Sequence, residues 1–258
     1  MRIHQEDLSD VTRFIEGLKH LRLDDKEHDY QWVMKRITKF KKITPETKIL
    51  EIGTGIGWFP ILCKRHGLSC KGLEISPQLI EYGKRLGRSI GIDADIELGN
   101  VEETDLGREQ YDVIVASSLF EHVENWQSGL TRIYEALTAG GLMFFFSTNK
   151  YCPKSGEYPM PFYSWLPDTW RYRLRMARQG ADIMKLGIDF HQFTYGRLRR
   201  FFHGLGYARV LDLFDIVGLD LERPTLLKKT LIKTARRLPA LKTVPLTFVR
   251  GTMFICLK

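Results

Sequence analysis

Glycines at positions 53, 55 and 57 stand at the end of an apolar run, 48–52, and in front of an apolar helical pattern. Bare backbone at such a turn lets a ligand lie against the chain with no Cβ in the way. The helix that follows would aim its first amides at the same ligand. Glu74 closes the next apolar run, 69–75, where a carboxylate can accept hydrogen bonds from ribose hydroxyls. Glu51, two residues before the first glycine, suits a ligand with a positively charged amino group. Together these parts ask for a nucleotide-like cofactor. A dinucleotide fingerprint, G-x-G-x-x-G, would put its third glycine at Trp58; here the third is Gly57, so a pyrophosphate fits poorly. His122 and His191 are the candidate general bases, since imidazoles change charge near neutral pH. Tyr158 and Tyr163 are further candidates, and Trp58 and Phe120 are aromatic faces that could meet a cation.

Such residues need a scaffold, and the apolar pattern supplies one. Strands are expected at 48–52, 69–75, 95–98, 111–117 and 141–147, with helices between them. Ser76-Pro77 is an N-cap and first-turn pair for a helix reaching about residue 90. Leu130, Ile133, Tyr134 and Leu137 form a helical stripe that stops at Ala139-Gly140-Gly141. This alternation argues for an α/β fold, a parallel sheet with helices on both faces. Residues 1–47 read as a helical segment over the cofactor and substrate cleft, with Leu8, Val11, Phe14, Ile15, Leu18 and Leu21 at helix spacing. Residues 150–190, rich in proline and aromatics, break the rhythm and read as a substrate lid with no regular element before about residue 168. A helix at 194–206, a strand at 207–216, a basic amphipathic helix at 224–238 and a closing strand at 246–257 complete the chain. The cofactor-binding core is therefore expected at 48–149 and 191–258.

At 258 residues, 43% hydrophobic and 27% charged, the composition is that of an ordinary globular protein. No apolar run approaches the roughly 18 residues a membrane span needs. The first ten residues lack the layout of a secretory signal, and the four cysteines form no C-x-x-C pair or metal-like cluster. A cytoplasmic protein with reduced thiols and no metal is expected, associated with the inner face of a membrane if its basic half docks there. Residues 1–149 carry 19 Lys+Arg against 23 Asp+Glu, a net −4, whereas 150–258 carry 20 against 8, a net +12. That asymmetry suits an anionic partner, a membrane surface or a phosphorylated molecule. Nucleic acid is disfavoured, because no stacking motif interleaves the arginines.

In order along the chain, the motifs resemble those of class I S-adenosylmethionine-dependent methyltransferases. Glu51-Ile52-Gly53-Thr54-Gly55-Ile56-Gly57 is similar to the family's first motif, and Leu73-Glu74-Ile75-Ser76 to its second. Gly99-Asn100-Val101-Glu102 resembles the adenine-bordering segment, with Asn where the family more often has Asp. Residues 111–123, Ala139-Gly140-Gly141-Leu142 and His191-Gln192-Phe193-Thr194 resemble its later elements. The flavour is that of the small-molecule branch with the quinone-biosynthesis methyltransferases.

The resemblance implies a Rossmann-like seven-stranded sheet, mostly parallel, with an antiparallel last strand. It implies that Glu51, Gly53, Thr54, Gly55 and Gly57 hold the methionine end of S-adenosylmethionine. Glu74 would accept hydrogen bonds from both ribose hydroxyls, with Ile75 beside it in the cofactor site; Asn100 and Val101 would border the adenine, and Ser117 would lie under the methionine chain. The expected acceptor is a small or lipid-linked molecule, methylated at oxygen. Alternatives are an RNA methyltransferase and a binding module that keeps the pocket without catalysis. The Asn/Asp-Pro-Pro-aromatic motif of base and amide methylases is absent; Ala116-Ser117-Ser118-Leu119 stands in its place.

Overall fold

The computed structural model describes residues 12–18, 20–156, 158–180, 189–217, 234 and 239–258. Seven strands, β1 (Ile49–Ile52), β2 (Cys70–Glu74), β3 (Ile96–Leu98), β4 (Tyr111–Ser117), β5 (Leu137–Thr148), β6 (Arg209–Asp212) and β7 (Gly251–Leu257), form one sheet in the order β3-β2-β1-β4-β5-β7-β6. Neighbours from β3 to β5 pair in parallel, and β7 runs antiparallel to both β5 and β6. The chain leaves β1 to build one side of the sheet, then returns through β4 to build the other. Ligands in open α/β sheets bind at such a reversal, beyond the carboxyl ends of the strands.

Alternate residues of each central strand serve opposite faces. Leu50, Ile52, Ile114, Ala116, Met143 and Phe145 point to one core, covered by α5 (Trp126–Ala136) and α7 (Tyr195–Leu205). Ile49, Val113, Val115, Leu142 and Phe144 point to the other, covered by α2 (Leu23–Ile37) and α3 (Trp58–Arg65). α2 presents Tyr30, Val33, Met34 and Ile37 to that face at helical spacing. Beside it, α1 (Thr12–Gly17) lies near α4 (Pro77–Arg88), and Tyr82 Oη donates to the Leu18 carbonyl at 3.1 Å. The Ser76 N-cap is as expected, its hydroxyl accepting from the Leu79 amide.

Three boundaries differ from expectation. The strand expected over 207–216 ends at Asp212, whose Oδ1 accepts from the Phe214 and Asp215 amides at 3.0 and 3.3 Å. This cap turns the chain into α8 (Leu213–Val217). Leu246 and Phe248, read as strand, belong to α9 (Pro239–Phe248), and β7 starts only at Gly251. The buried Asn149 carboxamide donates to the Leu246 and Val249 carbonyls, both at 3.0 Å, and satisfies that helix end. Leu137, read as the last residue of the α5 stripe, instead opens β5 opposite Tyr111. The basic helix expected at 224–238 falls outside the described residues apart from Thr234.

Residues 150–180 leave the sheet after β5. They form a hairpin-like excursion bridged between Lys154 and Pro161, a 3-10 turn at Tyr163–Trp165, and α6 (Asp168–Gln179). The Lys150 amide donates to the Phe193 carbonyl at 2.7 Å, so departure and return of this excursion are joined. All four cysteines are buried and unbridged. Among the described residues no helix is long and apolar enough to cross a membrane.

Candidate active site

The carboxyl ends of β1, β2, β3 and β4, four of the five parallel strands, border a cleft. β1 contributes Ile52 and Gly53; β2 contributes Leu73, Glu74 and Ile75; Gly99, Asn100 and Val101 follow β3; Leu119, His122 and Val123 follow β4. All three glycines of the turn have left-handed φ, 67°, 58° and 68°. Gly53 and Gly57 are packed closely, and an added Cβ would press on Leu119 at Gly53 and on Ile96 at Gly57. At Gly55 an added Cβ would meet nothing within 4 Å. Two of the glycines thus close the turn, and the third leaves open space over bare backbone.

Glu74 knits the cleft together. Its Oε2 accepts from the Gly55 amide at 2.7 Å, and its Oε1 accepts from the Ile75 and Ser76 amides, both at 3.0 Å. Burial pushes its carboxyl above the usual range, against the three amides that favour the charged form. A carboxylate offers about four acceptor sites, so this one retains capacity for one further strong hydrogen bond. The notion that it takes both ribose hydroxyls is narrowed accordingly.

Glu51 is buried behind the turn, and its carboxyl accepts from the Thr54 hydroxyl; neither lines the cleft. Burial, helped by the nearby charge of Glu74, pushes the Glu51 carboxyl up to about 8 from an ordinary 4.5. The fold prefers its neutral form. Folding therefore takes up a proton between these two values, and stability declines as pH rises through that window. Glu51→Gln is expected to flatten that decline, measured by urea midpoints from about pH 5 to pH 8. An equally steep decline in the variant would show that another group carries it.

The remaining expected residues divide. Asn100 lines the cleft, its Oδ1 accepting from the Glu102 amide at 3.0 Å, and Val101 packs into the core beside it. Ser117 ends β4 opposite Phe146 and is not among the cleft-lining residues. Trp58 and Phe120 serve packing, Phe120 being 1% exposed against Phe145. The cleft lining includes none of the described residues of the 1–47 segment.

The two histidines have different surroundings. His191 Nε2 lies 2.9 Å from the Glu124 carbonyl oxygen, and its amide donates to the Glu121 carbonyl at 3.0 Å. With Phe193 in the core and Thr194 capping α7, that element anchors the chain's return from the excursion. His122 follows β4 and lines both the cleft and a second cavity of about 610 Å³. Ser118, Glu121, Ser147, Arg175, Asp189 and Arg250 also line that cavity. Asp189 Oδ1 lies 4.0 Å from His122 Nε2, and Gln192 Nε2 holds the other carboxylate oxygen at 2.7 Å. Glu121 is buried and accepts from Ser147 Oγ at 2.6 Å. Tyr163 is fully buried, whereas Tyr158 faces a third cavity beside the excursion.

Asp189 and Arg250 went unnoticed in the sequence as site residues. They come from the excursion and from the approach to β7, whose positions depend on tertiary contacts rather than local pattern. The one available signal was charge inside an otherwise aromatic stretch.

A family model described as a methyltransferase domain matches residues 25–212. The chain belongs to the class I S-adenosylmethionine-dependent methyltransferases. The match runs from α2 to the end of β6 and includes every residue of the cleft. A ubiquinone biosynthesis O-methyltransferase of Citrobacter koseri is 29% identical over 141 residues, 54% of each chain. The chain thus spans about half the length of the curated relatives it matches. Among solved structures, a Haemonchus contortus phosphoethanolamine N-methyltransferase 2 superposes with TM-score 0.60 at 13% identity, covering all of this chain and 60% of that one. A Mesorhizobium loti S-adenosylmethionine-dependent methyltransferase gives 0.56 at 18% identity, over 92% of this chain and all of that one. These likenesses are of fold. The open space over Gly55 and the Glu74 carboxylate fit the cofactor the family uses.

Proposed function

We propose that the chain methylates a small-molecule acceptor at a hydroxyl oxygen, using S-adenosylmethionine, with His122 as general base. The observation that carries this reading is the placement of His122 in the wall common to the cleft and the second cavity. When bound, S-adenosylmethionine supplies an electrophilic methyl carbon on an excellent leaving group. Glu74, Asn100 and the backbone at Gly53 and Gly55 would hold it. His122 accepts the hydroxyl proton, and the Asp189 carboxylate stabilises the imidazolium that results. Most of the remaining rate comes from alignment, worth roughly 7–11 kcal/mol when geometry is well held. The name of the Citrobacter relative supports oxygen as the acceptor atom.

A greasy acceptor is supported by exposed rings beside the excursion. Trp165 lies 4.9 Å from Phe162, 6.2 Å from Tyr151 and 6.4 Å from Phe248, centroid to centroid, and all four rings are exposed. Contiguous exposed apolar surface of this kind marks contact with a ligand, partner or membrane.

One experiment tests the reading. Turnover is measured with catechol-type acceptors with and without a prenyl chain, for the wild type, His122→Gln and His191→Ala. His122→Gln is expected to lower kcat by about 10²–10⁴-fold and remove the acid limb of the pH profile. His191→Ala is expected to lower Tm and leave that profile in place. A pH profile unchanged in His122→Gln would exclude the base. A prenyl chain that leaves kcat/KM unaltered would exclude the greasy acceptor.

A further inference from the structure

Four aromatic rings stand together on the surface of the excursion. Phe162 is 51% exposed, Phe248 46%, Trp165 43% and Tyr151 39%, and Trp165 lies within 6.4 Å of each of the other three, centroid to centroid. They come from three separated stretches: the exit from β5, the 3-10 turn and the end of α9. Rings usually repay folding by burial, and these gain little of it. Backbone is even strained to hold one of them. Phe162 has a left-handed φ of 59°, which bulky side chains rarely adopt. Its amide donates to the Pro153 carbonyl at 2.7 Å, and its carbonyl accepts from the Trp165 amide at 3.0 Å, so the ring is fixed facing outward. Strain spent on an exposed ring points to something that the ring meets.

The charges around the rings indicate what that is. Lys154, bridged to Pro161 beside Phe162, and Arg250, two residues past Phe248, are both exposed and line the third cavity. Carboxylates offer little opposition. Among the described residues of 150–258 the acidic ones are Asp168, Asp189, Asp212 and Asp215. Asp189 and Asp212 are buried, Asp215 pairs with Lys242 at 3.2 Å, and Asp168 pairs with Arg171 at 2.8 Å. Glu157 lies outside the described residues. A second copy of the chain would bring the same positive charge to the rings, and like charges oppose that pairing. Anionic lipid headgroups complement it. Tryptophan and tyrosine settle at the level of the headgroups, while lysine and arginine are drawn to anionic lipid.

We infer that Tyr151, Phe162, Trp165 and Phe248, edged by Lys154 and Arg250, form a docking face for an anionic lipid bilayer. The third cavity, which Lys154 and Arg250 line, then lies at the bilayer surface. Arg250 also lines the second cavity, where His122 stands. A greasy acceptor could pass from lipid toward the cleft without crossing bulk water. That route rests on the proposed function; the docking face does not.

The test sediments the full chain with vesicles of phosphatidylcholine, alone or with about one third phosphatidylglycerol. The variants are Trp165→Ser with Phe248→Ser, Lys154→Gln with Arg250→Gln, and, as a control, Ile90→Ser, an exposed apolar residue on the turn after α4. Melting curves establish that each is folded. The wild type is expected to bind the anionic vesicles at least about tenfold more tightly than the neutral ones, and less tightly as salt rises. The ring variant and the charge variant should each lose about tenfold or more on anionic vesicles, and the control should match the wild type. Failure to bind either vesicle overturns the inference, as does undiminished binding in the ring variant or in the charge variant. Dimerisation that needs the rings, without vesicle binding, would assign the face to a second copy and overturn it too. Ring-dependent vesicle binding without methyl transfer to any acceptor would fail the proposed reaction and leave the docking face standing.

Discussion

Glu74→Gln is expected to weaken binding of S-adenosylhomocysteine by about 100-fold or more. The carboxylate accepts three backbone amides and presents its remaining capacity to the cleft. A glutamine offers one oxygen and turns an NH₂ toward amides that are themselves donors. The loss combines a hydrogen bond to a charged group, worth roughly 1.5–3 kcal/mol, with misplacement of the Gly55 backbone. Part of the effect falls on the fold, because a buried unpaired amide costs about 1–3 kcal/mol and lowers Tm by several degrees. Calorimetry well below the variant's own Tm separates the two. A dissociation constant within about threefold of wild type, less than 0.7 kcal/mol, would remove Glu74 from the ligand site.

The second large effect contrasts two glycines in one turn. Gly57→Ala places a side chain at a left-handed φ of 68°, against Ile96. Left-handed backbone costs roughly 1–2 kcal/mol and overpacking a further ~1–3 kcal/mol, so Tm should fall by on the order of 10 °C. Gly55→Ala carries the conformational cost at φ 58° and no clash, because nothing lies within 4 Å. Its Tm should fall by only a few degrees, while affinity for S-adenosylhomocysteine is expected to drop at least about tenfold, if the cofactor lies against this backbone as proposed. Melting curves and titrations of both variants decide the matter. A Gly55→Ala protein that binds normally would mean the cofactor does not approach this backbone.

These contrasts reflect what was legible in the sequence. The strands around the glycine turn were readable because each is short and bounded by chemistry that stops it: Gly53 after β1, Glu74 at the end of β2 with Ser76 beyond it, Gly99 after β3. Pairing in parallel then follows from the helices between them. Of the expected cofactor residues, Gly53, Glu74, Ile75, Asn100 and Val101 line the cleft for the same reason, since each sits at or just past a strand end. In the C-terminal quarter the helix at Tyr195–Leu205 was readable, but the bounds of the last two strands were not. Asp212 caps a helix that apolar alternation conceals, and α9 depends on Asn149, a residue far away in sequence. The acceptor half resisted in the same way. Asp189 comes within 4.0 Å of His122 only through the tertiary course of the excursion, and His191 differs from His122 in its bond to the Glu124 carbonyl, which no local pattern announces.

The bond between the Lys150 amide and the Phe193 carbonyl has an evolutionary reading. Because the excursion enters and exits at a single point, its ends are held together whatever lies between them. Longer or shorter inserts would cost little extra closure entropy, which grows only slowly with length. On the proposed reading, acceptor choice would then sit in an exchangeable cassette, and lineages could trade one chemistry for another without rebuilding the strand ends proposed to hold the methyl donor.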